Sequence, residues 1–187
     1  MGEKLKITNL PLSGAVEVQA KPITDDRGWF SRWFCQEELK AINYNRQIEQ
    51  INSSFTASKG VIRGLHFQFA PNMEDKIVRC IQGSVFDVIV DLRHASPTFG
   101  EWHSVVLDSR LQNMLYIPKG FAHGFQTLEP NCQILYLHTE YHSSESEGGF
   151  RYDSESLGIK WPLPACDLSL RDQGLPVFEK NFRGIDI

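Results

Sequence analysis

Val85-Phe86-Asp87-Val88-Ile89-Val90-Asp91-Leu92 is the stretch that decides the fold. It is short, rich in Val, Ile and Phe, and follows Gly83-Ser84, the composition of a strand that starts after a turn. Side chains alternate across a strand, so acids four residues apart share one face. That face must tolerate polarity, and in a barrel it can be the lumen, where a ligand cavity sits.

Similar segments recur on either side: Val16-Glu17-Val18-Gln19, Ser104 to Leu107, Met114 to Ile117 and Ile134 to Thr139, each bounded by Gly, Pro, Asn or Ser. Such spacing predicts an all-β sandwich or barrel. One short helix is expected over about Gln36 to Ile42, where Glu37, Glu38, Leu39, Lys40 and Ala41 are good helix formers. No internal repeat or low-complexity stretch interrupts the series. The proline-punctuated tail from Pro162, preceded by Trp161, carries Leu168, Leu170 and Phe178 to dock on the body, so no boundary is drawn there. Residues 1–187 read as a single domain, long enough to bury a substantial core.

Net charge is −4 and the basic residues are scattered, which speaks against nucleic acid and for a small-molecule partner. Cys35, Cys80, Cys132 and Cys166 form no C-x-x-C pair, so neither a zinc site nor a redox motif is suggested, and reduced buried thiols are expected. The start, Met1-Gly2-Glu3-Lys4-Leu5-Lys6, has no apolar run behind it, and Lys6 stands where a myristoylation signal needs Ser or Thr. No run approaches membrane-spanning length. A cytoplasmic, soluble protein is the expectation.

Two stretches carry chemistry. Arg63-Gly64-Leu65-His66, with Lys76 ten residues on, and Gly120-Phe121-Ala122-His123-Gly124-Phe125 put a base, two cations and a second histidine on core β segments. Packing alone explains that combination poorly. Histidine titrates near neutrality and accepts a proton at pH 7, whereas a lysine at its usual pKa of about 10 does not. His66 is therefore the candidate base and Lys76 an electrostatic stabiliser. His123 is either a ligand contact or a supporting partner of Asp87.

Read together, Asp26 to Phe30, Gln50-Ile51-Asn52, Arg63 to Gln68, Lys76, Gly83 to Val88, Asp91-Leu92-Arg93, Pro118 to Phe125, Tyr136, Tyr141 and Arg171-Asp172 form one ordered series. That series resembles the dTDP-4-dehydrorhamnose 3,5-epimerase family over about Ile23 to Phe178. The resemblance implies an all-β, cupin-like jelly roll with a few short helices, acting without cofactor or metal on a nucleoside-diphosphate 4-keto-6-deoxyhexose. It also implies a homodimer whose N-terminal segment crosses to its partner. His66 matches the base, Asp172 the carboxylate behind it, Tyr136 the acid on the opposite face and Lys76 the cation beside the 4-keto oxygen. Arg27 and Arg63 match diphosphate-holding positions, a role suited to the planar guanidinium fork. Gln50, Asn52, His123, Glu147 and Arg171 match other substrate-contacting positions, and Phe30 and Tyr141 offer aromatic faces to a nucleobase. The chain departs from the family at Arg32, where a glutamate is usual, and over Ala70 to Asp75 before the lysine. The first departure leads us to expect that Arg32 alters the choice between dTDP and CDP.

Three other functions compete. A metal-dependent cupin wants two histidines separated by one residue, and His66-Phe67-Gln68 supplies only the first. A non-catalytic sugar-binding module has no need of a His and Asp pair opposed by a tyrosine. A 3,4-ketoisomerase or a single-centre epimerase differs only in which carbon faces His66.

Overall fold

The deciding stretch is a strand, Ser84–Asp91, and both of its faces are buried. In the computed structural model, which describes residues 4–42 and 44–187, it is the eighth strand. In chain order the strands are β1 (Leu5–Asn9), β2 (Val16–Ala20), β3 (Ile23–Asp25), β4 (Gly28–Phe30), β5 (Gln50–Thr56), β6 (Ile62–Gln68), β7 (Lys76–Gln82), β8, β9 (Trp102–Asp108), β10 (Asn113–Ile117), β11 (Phe121–Thr127), β12 (Cys132–His138) and β13 (Glu147–Gly149). They form an antiparallel six-stranded sheet, ordered β1-β2-β10-β7-β12-β5, and an antiparallel five-stranded sheet, ordered β13-β6-β11-β8-β9. β3 and β4 stand apart as a hairpin. This is the cupin-like jelly roll expected from the sequence.

Alternation assigns every face. Val85 and Ile89 of β8, Phe121 and Phe125 of β11, Val78 and Cys80 of β7 and Ile134 of β12 fill the space between the sheets. Val88 and Val90 point the other way and pack under Phe150, Leu157, Phe178 and Ile185 of the C-terminal segment, which docks through Phe178 and Trp161 as expected, whereas Leu170 is 87% exposed and does not dock, a correction to that expectation. The outer face of the larger sheet is covered in turn by Leu39 and Tyr44 over Ile77, Met114 and Tyr116. The central strands are therefore covered on both sides, which is why β8 carries apolar residues on each face.

The helices are shorter than expected. Only Gln36–Leu39 is α-helical (α1), and Lys40–Ile42 tightens into a 3-10 turn, a common helix ending. A second helix, α2 (Leu170–Gln173), gave no periodic signal at four residues, yet its cap is legible: the Ser169 side chain accepts from the Asp172 amide. All four cysteines are free; Cys80 and Cys132 are buried, whereas Cys35 and Cys166 are only half-buried, a correction to the expectation for those two. Among the described residues no helix is long and apolar enough to cross a membrane.

One close approach shapes the site. A Cβ on Gly64 would lie 2.6 Å from Gly124 Cα, and Gly64 has φ +125°, a region that side chains avoid. The register between β6 and β11 shifts between His123 and Phe125, leaving His123 directly opposite His66.

Candidate active site

A cavity of about 630 Å³ opens between the sheets. Leu65 and Phe67 turn outward into the C-terminal core, so the intervening His66 turns in. The smaller sheet contributes Arg63, His66, Gln68, His123 and Glu147, and the larger one Gln50, Asn52, Ser54, Lys76, Tyr136 and His138. Arg171 and Asp172 of α2 complete the lining.

His66 Nε2 lies 2.7 Å from Asp172 Oδ1, a pair brought together across 106 residues. The Asp172 side chain is 5% exposed against 29% for His66, so the imidazole meets solvent and the carboxylate does not. Burial alone would raise the Asp172 pKa, but the hydrogen bond and charge of His66, with the Gly64 amide and Ser169, bring it below the usual range. An ionised Asp172 accepts only, so it fixes the proton on Nε2 and leaves the Nδ1 lone pair available. Nδ1 has no partner among the described residues.

Tyr136 stands on the opposite wall with its hydroxyl 2.9 Å from Ser54 Oγ. Burial pushes its pKa up to about 12, so at neutral pH it is a phenol and a donor. Its ring stacks on His138, centroids 5.9 Å apart, and meets the edge of His123 at 6.5 Å. His123 Nε2 is 2.9 Å from Asp87 Oδ2 and 3.0 Å from Oδ1. Asp87 is fully buried, and desolvation raises its pKa against the pull of His123 and Lys76. His123 thus lines the cavity and pairs with Asp87.

Lys76 Nζ lies 2.9 Å from Glu74 Oε1, and the other oxygen of Glu74 is 2.6 Å from His138 Nδ1. Burial raises the Glu74 pKa, but His138 and Lys76 outweigh it and the net shift is downward. Sequence reasoning missed both Glu74 and His138. The signal for His138 was there, since it follows Tyr136 by two residues on one strand and must share its face. Glu74 lay in the stretch noted only as a departure.

The remaining expected residues divide. Arg63 is steadied by Thr56 Oγ1 at 3.1 Å and the Phe55 carbonyl at 3.3 Å. Gln50 accepts the His142 amide at 2.6 Å, and Glu147 pairs with Arg171 at 2.5 Å and with His142 Nε2 at 3.3 Å. Arg27, Phe30, Arg32 and Tyr141 do not line the cavity. Arg27 pairs with Asp25 in the β3–β4 turn, and Phe30 is 65% exposed on that hairpin. Arg32 binds Glu38 Oε1 at 2.8 Å, while Glu38 Oε2 accepts the amides of Lys4 and Leu5 at 2.7 and 2.9 Å. Tyr141 is exposed beside the mouth, its carbonyl accepting from Gln68 Nε2 at 3.2 Å. Among the described residues no group of three or more His, Cys, Asp or Glu is arranged to hold a metal ion.

The family model of dTDP-4-dehydrorhamnose 3,5-epimerase matches residues 9–180. A dTDP-4-dehydrorhamnose 3,5-epimerase of Salmonella typhimurium is 39% identical over 165 residues, covering 87% of this chain and 90% of the relative. The crystal structure of the enzyme of that name from Bacillus anthracis, with TDP and pyrophosphate bound, is 36% identical with a TM-score of 0.90, covering 93% of this chain and 99% of that one. The dTDP-6-deoxy-D-glucose-3,5-epimerase of Legionella pneumophila, in complex with dTDP-4-keto-L-rhamnose, is 35% identical with a TM-score of 0.88 over 92% of each chain.

Proposed function

The chain belongs to the dTDP-4-dehydrorhamnose 3,5-epimerase family, a family of isomerases, and on that premise we propose that its cavity inverts C3 and C5 of a dTDP-linked 4-keto-6-deoxyhexose through His66 and Tyr136. The observation that carries this reading is a proton acceptor and a proton donor on facing walls: His66 held by Asp172 on one sheet, the Tyr136 phenol on the other. The 4-keto group acidifies the hydrogens on both neighbouring carbons. His66 Nδ1 removes one, the electron pair moves to the ketone oxygen, and the enolate so formed lies beside the Lys76 ammonium. Tyr136 returns a proton from the opposite face, and the configuration inverts. Arg63, Gln50, Asn52, His123, Glu147 and Arg171 hold the diphosphate and the sugar. Proton transfer between side chains and substrate completes the cycle, so the reaction as drawn needs no cofactor.

Relatives with bound thymidine nucleotides support dTDP as the carrier. We assign Arg32 to anchoring the N-terminal strand through Glu38, because its guanidinium is already occupied there. The same proposal puts the enzyme in the cytoplasm, where free cysteines persist.

Incubation with dTDP-4-keto-6-deoxyglucose in heavy water is expected to place deuterium at both C3 and C5 of an inverted product. Deuterium at one carbon alone would reduce the enzyme to a single-centre epimerase, and none at either would remove the reading.

The exposed hairpin supports a homodimer. Ile23, Trp29 and Phe30 are 50%, 58% and 65% exposed, with Arg27 at the turn. An apolar tip of that kind wants a partner, and a second copy would gain Arg27 and Phe30 at the mouth of its cavity. Burying an aromatic side chain contributes about 1.5–3 kcal/mol, and a symmetric dimer does so twice. Phe30→Ser is therefore expected to shift sedimentation from two chains towards one and to raise KM for the nucleotide sugar at least tenfold, with far-UV dichroism unchanged. A wild-type protein that sediments as a single chain at full activity would end the proposal.

A further inference from the structure

Inversion at two carbons makes a demand that one donor on one wall does not obviously meet. The carbons flanking the ketone are different atoms, and each enolate must take its new proton from the face opposite His66. Taking the epimerase reading above as given, Tyr136 serves one of them, and the same wall holds a second candidate. His138 lies two residues on in β12, on the same strand face, and lines the same cavity. The two rings stack with planes 22° apart.

The imidazole is built in. Its Nδ1 lies 2.6 Å from Glu74 Oε2, and Glu74, only 7% exposed, reaches Lys76 Nζ at 2.9 Å with its other oxygen. His138 and Lys76 are direct cross-strand partners, so one carboxylate spans both. Among the described residues Nε2 has no partner. This is the construction of His66 and Asp172 repeated on the opposite wall: a carboxylate pins one ring nitrogen, and the other is left to the cavity.

We propose that His138 is a second general acid, returning a proton to one of the two carbons beside the ketone while Tyr136 serves the other, and that Glu74 is the positioning residue that holds it. The step balances without a co-reactant. His66 Nδ1 takes the proton from carbon, and the C–H pair becomes the enolate with its charge on the oxygen beside Lys76. When the enolate collapses, the carbon takes the proton from His138 Nε2, leaving a neutral imidazole whose Nδ1–H still donates to Glu74. Water then removes the proton gained by His66 and restores the one lost by His138.

A ring that merely propped Tyr136 would affect both centres alike, and this difference is the test. Wild type, His138→Gln, Glu74→Gln and Tyr136→Phe are each incubated with dTDP-4-keto-6-deoxyglucose in heavy water, and NMR reads deuterium and configuration at C3 and C5 separately. His138→Gln is expected to keep deuterium uptake at both carbons, because His66 and Asp172 are intact. It should slow inversion at one carbon by about two orders of magnitude or more, the lower end of what a positioned proton-transfer group contributes, and leave the other near wild type. Tyr136→Phe should show the complementary pattern, and Glu74→Gln a weaker copy of His138→Gln at the same carbon. Equal losses at both carbons in His138→Gln, or wild-type inversion at both, would overturn the assignment. Deuterium at one carbon alone in the wild type would overturn this step and leave a single-centre epimerase, and deuterium at neither would overturn the epimerase reading and this step with it.

Discussion

His66→Asn lowers turnover by about two to four orders of magnitude while leaving the melting temperature and dTDP affinity near wild type, the expected loss when one positioned proton-transfer group is removed. The asparagine amide overlays the Nδ1 side of the ring and falls short of Asp172, whose carboxylate keeps the Gly64 amide and can take water from the cavity in place of Nε2, and the amide has no lone pair basic enough to take an α-proton. The diphosphate contacts proposed for Arg63 and Gln50 do not pass through this side chain. Deuterium exchange at C3 and C5 is the direct readout, and exchange at the wild-type rate would remove His66 from the mechanism. Asp172→Asn acts on the same step from behind. It keeps the shape of the helix terminus but substitutes a neutral amide for an ionised acceptor 2.7 Å from Nε2, so the ring is no longer held in the tautomer that frees Nδ1. The two residues form one unit, and His66→Asn with Asp172→Asn should be little worse than His66→Asn alone. Losses that simply multiply would mean that Asp172 contributes through some other contact.

Much of this arrangement was legible because strands alternate. Leu65 and Phe67 turn out into the C-terminal core and the intervening His66 turns in, as a period of two requires. Asp87 and Asp91 do share a face of β8, as their spacing requires, but only Asp87 reaches the cavity region through His123. Asp91 sits at the strand end, where Arg93, Ser96 and Thr98 enclose it, so polarity there marks a satisfied corner and not a ligand. Asp172 could not be found from local pattern at all. It sits in a four-residue helix far from β6 in sequence, and only the likeness to a family drew it to His66. Glu74 was hidden for another reason: it precedes β7 in irregular chain, where no period says which way a side chain points. The β3–β4 hairpin reads in sequence as part of the binding machinery, yet within one chain it touches none of the cavity, because the resemblance speaks of an assembly and the chain alone does not supply it.

Tyr136→Phe carries the second large effect, and it separates exchange from inversion. The phenyl ring keeps the packing volume, the stack on His138 and the edge contact with His123, so a purely structural tyrosine predicts normal activity. What is lost is a hydroxyl that burial holds as a phenol, with a pKa pushed up to about 12, and a hydrogen bond to Ser54. Removing one such bond costs about 1 kcal/mol of stability, too little to unfold a domain of this size. His66 and Asp172 remain, so α-protons still leave and deuterium still enters from heavy water. The carbon that Tyr136 serves, however, receives its proton back from the face it left, and the doubly inverted product falls by about two orders of magnitude or more. Retained deuterium uptake with lost inversion is a signature that neither a misfolded protein nor a weakened binding site produces, since both would depress the two readings together. Full epimerisation by the phenylalanine variant would make Tyr136 a core residue, and His138 would then be the donor left on that wall.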